Sequence, residues 1–148
     1  MRHRGSQQIG VPLIAEHDTW ISLDPLVGCP ADCTYCYLGP LKLRGKRPTV
    51  RVRPQELIIE LKRYLDYRQG TWGLPGLRPV PICIGNYTDM FMTRDGVQYL
   101  QEYLPLHAEA FPDHPLCMIT KARLNECDVA PLDQVGHPIL ASFMAHEK

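Results

Sequence analysis

Residues 80–120 have the sequence VPICIGNYTDMFMTRDGVQYLQEYLPLHAEAFPDHPLCMIT, and this stretch decides the fold. The short apolar runs at 80–85 and 116–120 predict two internal strands, the first of them buried on both faces. Between them, Val97, Leu100 and Leu104 recur at helical spacing and predict a helix over 94–108, with Thr93 as its N-cap. A strand, a helix and a second strand in this order favour parallel strands joined by a crossover helix.

The same alternation continues on both sides of this unit. Residues 20–23 predict a short strand, and 54–68 predict a helix that begins at Pro54, with Gly70 just past its end. Residues 125–135 predict a short helical or irregular stretch, and 138–143 predict a fourth strand. Residues 1–18 are polar and predict an N-terminal arm or a strand-like lead-in to a domain over 19–148. The predicted class is therefore α/β, with about four βα units and a parallel sheet.

Composition places few limits on function. The chain has 148 residues, enough for one domain, and its 16 Lys and Arg balance its 16 Asp and Glu. No apolar run approaches the length of a membrane span, and no signal-peptide core follows Met1, so we expect a cytoplasmic protein without a membrane partner. One segment is locally basic, and it is either a solvated loop and strand or a surface that contacts nucleic-acid phosphates. Its basic residues are Lys42, Arg44, Lys46, Arg47, Arg51 and Arg53.

Three of the six cysteines are clustered within residues 28–37, GCPADCTYCY. Cys29, Cys33 and Cys36 have the spacing C-x3-C-x2-C, which lacks the fourth nearby ligand that a structural zinc site needs. A cubane cluster held by three thiolates keeps one iron open for another ligand. Cys83 and Cys117 lie in apolar runs and are predicted to be core residues, whereas Cys127 is left unassigned.

The cysteine spacing, with Tyr35 as the aromatic residue before the third cysteine, resembles the signature of the radical S-adenosylmethionine (SAM) superfamily. The resemblance implies a partial parallel (β/α) barrel and a [4Fe-4S] cluster held by Cys29, Cys33 and Cys36. It also implies that S-adenosyl-L-methionine binds the open iron and is cleaved reductively to a 5′-deoxyadenosyl radical. An electron donor such as flavodoxin or ferredoxin is then an expected partner.

Further segments resemble the spore photoproduct lyase branch, which includes proteins described as DNA repair photolyases. They are residues 28–38, 46–52, 88–91, 119–121 and 141–142. The resemblance implies that Lys121 reaches the SAM carboxylate, that Ser142 bonds its methionine or ribose portion, and that the 86–89 turn lies near its amino group. The SAM contacts implied in this way are Tyr35, Asn86, Thr88, Asp89, Lys121 and Ser142.

This chain departs from that branch at three points. Asn86 stands where the lyase has a hydrogen-donating cysteine, and Asp95 stands where related proteins carry a glutamate. A radical SAM core normally contains more βα units than are predicted here, so we expect a fragment, a truncated product or a barrel completed by a second chain. The substrate is left open, with nucleic acid as one candidate. The alternative function is a non-catalytic iron-sulfur or zinc-binding module.

Overall fold

The computed structural model describes residues 10–34, 36–72, 79–124 and 129–142. It contains two α-helices, α1 (Pro54–Trp72) and α2 (Arg94–Ala110), and a 3-10 helix at Ala130–Gln134. The strands are β1 (Ile14–Glu16), β2 (Ile21–Leu23), β3 (Leu26–Val27), β4 (Thr49–Val50), β5 (Ile82–Ile84), β6 (Leu116–Thr120) and β7 (Pro138–Ser142). The order of helices and strands predicted from β2 onward is confirmed, with β3 and β4 added.

Five strands form one sheet in the order β1-β2-β5-β6-β7. The pairs β2–β5, β5–β6 and β6–β7 are parallel, which confirms the predicted parallel sheet, and β1 is antiparallel to β2. The strand-like lead-in is therefore β1, which occupies the outer edge of β2. Within the described residues β7 pairs only with β6, so any strands added to the parallel sheet would join at β7. Strands β3 and β4 form a separate antiparallel pair.

The helices cover one face of the sheet. α1 contacts α2, and α2 contacts the 3-10 helix, as expected for neighbouring crossover connections in a sheet whose strands follow chain order. The core between helices and sheet is apolar, and its fully buried residues include Leu57, Leu61, Tyr103, Leu104, Ile82, Ile84, Leu116 and Met118. The result is a mixed α/β domain with a mostly parallel sheet.

The prediction that residues 80–85 are buried on both faces was wrong. Ile82 and Ile84 pack under the helices, whereas Cys83, between them, is only partly buried and points to the opposite face. Cys117, its Cα partner on β6, is likewise partly buried on that face. The core assignment of both cysteines is corrected accordingly, because the helices cover only one side of these strands. Cys127 lies outside the described residues.

Helix boundaries follow local signals in part. The Thr93 hydroxyl accepts a hydrogen bond from the Gly96 N–H at 3.1 Å, which confirms the predicted cap of α2. α1 continues through Gly70 to Trp72, so the prediction that it ends before this glycine was wrong. One glycine costs a helix only about 1 kcal/mol, which a helix packed against a core can absorb.

Candidate functional site

The three clustered cysteines lie on the loop between β3 and β4, at the carboxyl end of the parallel strands. This loop begins at Gly28, whose φ of 105° is accessible mainly to glycine. A Cβ atom there would also lie 3.0 Å from the Arg47 carbonyl oxygen. Cys29 follows, with its N–H donating to the Leu43 carbonyl at 3.0 Å and its own carbonyl accepting from the Lys46 N–H at 3.0 Å. These two contacts hold the first cysteine, at the start of the loop, against Leu43 and Lys46 near its end.

Arg44 holds the second part of the loop. Its Nη1 donates to the Cys33 carbonyl at 3.2 Å, and its Nε lies 3.0 Å from the Asp32 carboxylate. The Cys36 N–H in turn donates to the Cys33 carbonyl at 3.1 Å. A small apolar cluster packs residues of the loop together, and its buried members are Val11, Val27, Cys29, Leu38 and Leu43. Arg44, predicted as part of a basic surface, thus serves the cysteine loop.

Cys29, Cys33 and Cys36 line one cavity of about 130 Å³, which we call the cysteine cavity. Its other walls are the ends of β5 and β6, so it contains most of the residues that the resemblance predicted as SAM contacts. Those found in its lining are Asn86, Thr88, Asp89 and Lys121. Ser142 is the Cα partner of Thr120, which places its backbone at the same end of the sheet. Tyr35 lies outside the described residues.

Asp89 joins the ends of β5 and β6. Its Oδ1 accepts a hydrogen bond from the Thr120 hydroxyl at 2.7 Å, and its Oδ2 accepts from the Lys121 backbone N–H at 2.7 Å. Both carboxylate oxygens therefore have protein partners. We infer that Asp89 positions Lys121 at the cavity wall, a role that the resemblance alone did not specify.

Asp24 is a site residue that sequence reasoning missed. It is fully buried directly after β2, and its Oδ1 accepts hydrogen bonds from the backbone N–H groups of Asn86 at 2.8 Å and Tyr87 at 3.2 Å. Burial raises the pKa of this carboxyl to about 6, against the opposing effect of those N–H groups and of Arg51. In the sequence, Asp24 signals only the end of a strand. Its folded position fixes the turn that carries Asn86.

The cysteine cavity can be tested for its fit to a metal group. Burial raises the pKa of the Cys29 thiol, whereas the backbone N–H groups of Asp89 and Ala31 act in the opposite direction by hydrogen bonding to the sulfur. Such N–H groups around a ligating sulfur are a common feature of iron-sulfur sites. Among the described residues, no three Cys, His, Asp or Glu side chains converge as around a single metal ion. The cysteines of a cubane each bind a different iron, so this search for a single-ion site does not test a cluster.

One further feature of the cysteine cavity suits a bound group, and a second concerns the packing of its wall. The Thr88 hydroxyl is buried and has no hydrogen-bond partner within the described residues, which is costly unless a ligand supplies one. Gly85 has a φ of +87°, and a Cβ atom there would lie 2.6 Å from the Met90 side chain. A glycine is therefore required here by close packing against the core residue Met90.

Half of the basic segment has partners within the chain. Besides Arg44, Arg47 pairs with Asp95 at 2.9 Å, and Arg51 donates to the backbone carbonyls of Val11 at 2.7 Å and Asp24 at 3.3 Å. Asp95, noted as a departure from related proteins, thus has a specific partner. The nucleic-acid surface formed by this segment stays a prediction.

Comparison with known proteins adds no further constraint. A scan against protein-family models found no matching family, and searches of curated proteins and of solved structures found no similar chain. Of the described helices, none combines the length and apolar character that spanning a membrane requires. Function must therefore be argued from the site itself.

Proposed function

We propose that this chain is a radical SAM iron-sulfur protein in which Cys29, Cys33 and Cys36 hold a [4Fe-4S] cluster. The observation that supports this most is the shared cavity, which joins the three cysteines to the ends of β5 and β6. In barrel-type α/β folds, functional groups gather at the carboxyl ends of parallel strands. Strands in chain order with helices on one face are consistent with a partial (β/α) barrel of the radical SAM type.

The cluster, when bound, would supply the electron that cleaves SAM to a 5′-deoxyadenosyl radical, after reduction by a partner such as flavodoxin or ferredoxin. The chain's own residues would ligate the cluster, orient SAM and shield the site from water. The three thiolates hold the cluster, and the unpartnered Thr88 hydroxyl offers a hydrogen bond to a polar ligand. Lys121 provides positive charge at the wall, fixed through its backbone by Asp89. Tyr35, Asn86 and Ser142 remain proposed SAM contacts on the resemblance.

The partly buried Cys83 thiol also faces the cysteine cavity, and its S–H donates towards the Asn86 side-chain carbonyl, with 3.6 Å between the heavy atoms. Burial raises its pKa to about 12, so it stays protonated near neutral pH. The three cysteines clustered on the loop between β3 and β4 remain the proposed cluster ligands.

The test is anaerobic reconstitution with iron and sulfide, followed by absorption and electron paramagnetic resonance spectra with and without SAM. We expect a [4Fe-4S] spectrum that changes when SAM is added, because SAM would bind the open iron. Cys33→Ala should lose most of the bound iron, and Cys29→Ala and Cys36→Ala should do the same. Cys117→Ala is the matched control, a partly buried cysteine outside the cysteine cavity, and should keep its iron.

Three results would contradict the proposal. Retention of a complete, SAM-responsive cluster by Cys33→Ala would show that the ligands are misassigned. Tight binding of zinc with no cluster formation would favour the non-catalytic metal module instead. A cluster that forms but never responds to SAM would likewise favour that module.

A further inference from the structure

A second, larger cavity lies on the face of the sheet opposite the helices. It has a volume of about 730 Å³, and we call it the sheet-face cavity. Its floor is a row of Cα partners across three strands, Ser22, Cys83 and Cys117. It shares a wall with the cysteine cavity, formed by Tyr37, Cys83, Asn86 and Ile119. A volume of this size falls within the range of small-molecule sites, roughly 300–1,000 Å³.

The sheet-face cavity is an unfavourable site for a charged ligand. None of the described residues that line it is an aspartate, glutamate, lysine or arginine. Burial raises the pKa of the Cys83 thiol in the floor to about 12. A charged ligand would lose water here without gaining an opposite charge.

Aromatic rings and hydrogen-bonding groups both line the same cavity. The His17 ring stacks on Trp20 with 3.8 Å between centroids and 13° between planes, and Tyr37 meets Tyr87 edge-on. The His17 Nε2 atom lies 3.2 Å from the Ser22 hydroxyl, so polar groups adjoin the aromatic wall. Aromatic walls with a few polar atoms favour a flat ring that also carries hydrogen-bonding edges.

We propose that the sheet-face cavity binds an uncharged, flat aromatic ring as the substrate of this protein. The identification as substrate rests on the proposed function, whereas the preference for an uncharged ring rests on the cavity alone. The shared wall places such a ring beside the group held by the cysteine cavity. Any phosphate or carboxylate attached to the substrate would have to remain outside the cavity.

Three small molecules of nearly identical shape test the charge preference. Benzamide is neutral, benzoate is an anion and benzamidine is a cation near neutral pH, and all are flat. Their dissociation constants can be measured with the full chain by ligand-observed saturation-transfer NMR, with and without a reconstituted cluster. We expect benzamide to bind at least about tenfold more tightly than either ion, since desolvation penalises both charges.

A matched pair of isoleucines locates the binding. Ile119 lines the sheet-face cavity and is 54% exposed, whereas Ile59 lies on α1 and is 51% exposed. Neither truncation should unfold the protein, because both side chains are half in solvent. Ile119→Ala should weaken benzamide binding by up to about tenfold through lost apolar contact, and Ile59→Ala should leave it unchanged.

Equal binding of the three compounds, tighter binding of an ion, or no saturable benzamide binding would overturn the inference. So would equal effects of Ile119→Ala and Ile59→Ala on benzamide binding. A SAM-responsive cluster together with equal binding would leave the proposed function standing and remove this inference. Selective benzamide binding without cluster formation would remove the proposed function and leave the preference for an uncharged ring standing. The ring would then be a ligand but not a radical substrate.

Discussion

Asp24 gives the protein a pH dependence that a single substitution should remove. The carboxyl is fully buried, and only its Oδ1 has hydrogen-bond partners among the described residues. Its pKa rises from 3.8 to about 6, chiefly through burial. At ~1.4 kcal/mol per pH unit, this rise corresponds to about 3 kcal/mol. The ionised carboxylate thus costs the folded state about that much near neutral pH, relative to the unfolded chain.

The sign follows from proton linkage. Because the folded-state pKa lies above the unfolded one, the folded protein holds the proton more tightly. Asp24 therefore contributes most stability below about pH 4, and this contribution is lost as the pH rises to about 6 and beyond. In Asp24→Asn the side-chain carbonyl can still accept from the N–H groups of Asn86 and Tyr87, but nothing titrates. The stability difference between wild type and variant should then change by about 2–2.5 kcal/mol between pH 4 and pH 7.

Urea unfolding of both proteins across this range, under reducing conditions, measures the difference. Taking the difference cancels other titrating groups, such as the buried His107, whose pKa is lowered to about 4, mainly by burial. Asp24→Ala is the informative companion, because it removes the acceptor as well as the charge and leaves two N–H groups unpaired. It should be less stable than Asp24→Asn by about 1–3 kcal/mol. A difference between wild type and Asp24→Asn that stays flat with pH would refute the reasoning.

Three other outcomes are expected. Gly28→Ala should destabilise the protein by about 1–3 kcal/mol in urea unfolding, since φ is 105° and the Arg47 carbonyl oxygen would lie 3.0 Å from the added Cβ. Gly10→Ala should cost less, because Gly10 also has a positive φ but no atom lies near its added Cβ. Asp89→Asn should cost about 1–3 kcal/mol in the same urea unfolding, because an amide cannot accept on both sides from Thr120 and Lys121. Its control, the exposed Asp113→Asn, should be near neutral. Duplex DNA bound by the basic segment should show a log–log salt slope of about −0.9 per phosphate contacted, which Lys46→Ala should reduce, and a flat salt response would remove nucleic acid as a partner.

The parallel framework was predictable because its signals are local. The Thr93 cap and the apolar spacing of α2 lie within a few residues of the helix they define, and β6 was predicted with the observed bounds. The faces of the strands were not predictable in the same way. A strand as short as Ile82–Ile84 contains too few residues to show whether one face or both are covered. The misplacement of Cys83 follows from that.

The organisation of the candidate site depends on contacts between distant parts of the chain. Asp24 bonds to a turn 62 residues away and Asp89 to a strand end 31 residues away, so no local pattern indicates either role. Both carboxylates accept hydrogen bonds from backbone N–H or hydroxyl groups in the segments that form the cavity walls. Arg44 and Arg51 likewise bond to backbone carbonyls of the surrounding loops. With these four charged groups engaged in positioning, the three clustered thiols, the buried Thr88 hydroxyl and Lys121 are the groups that we propose bind the cluster and its ligand in the cysteine cavity.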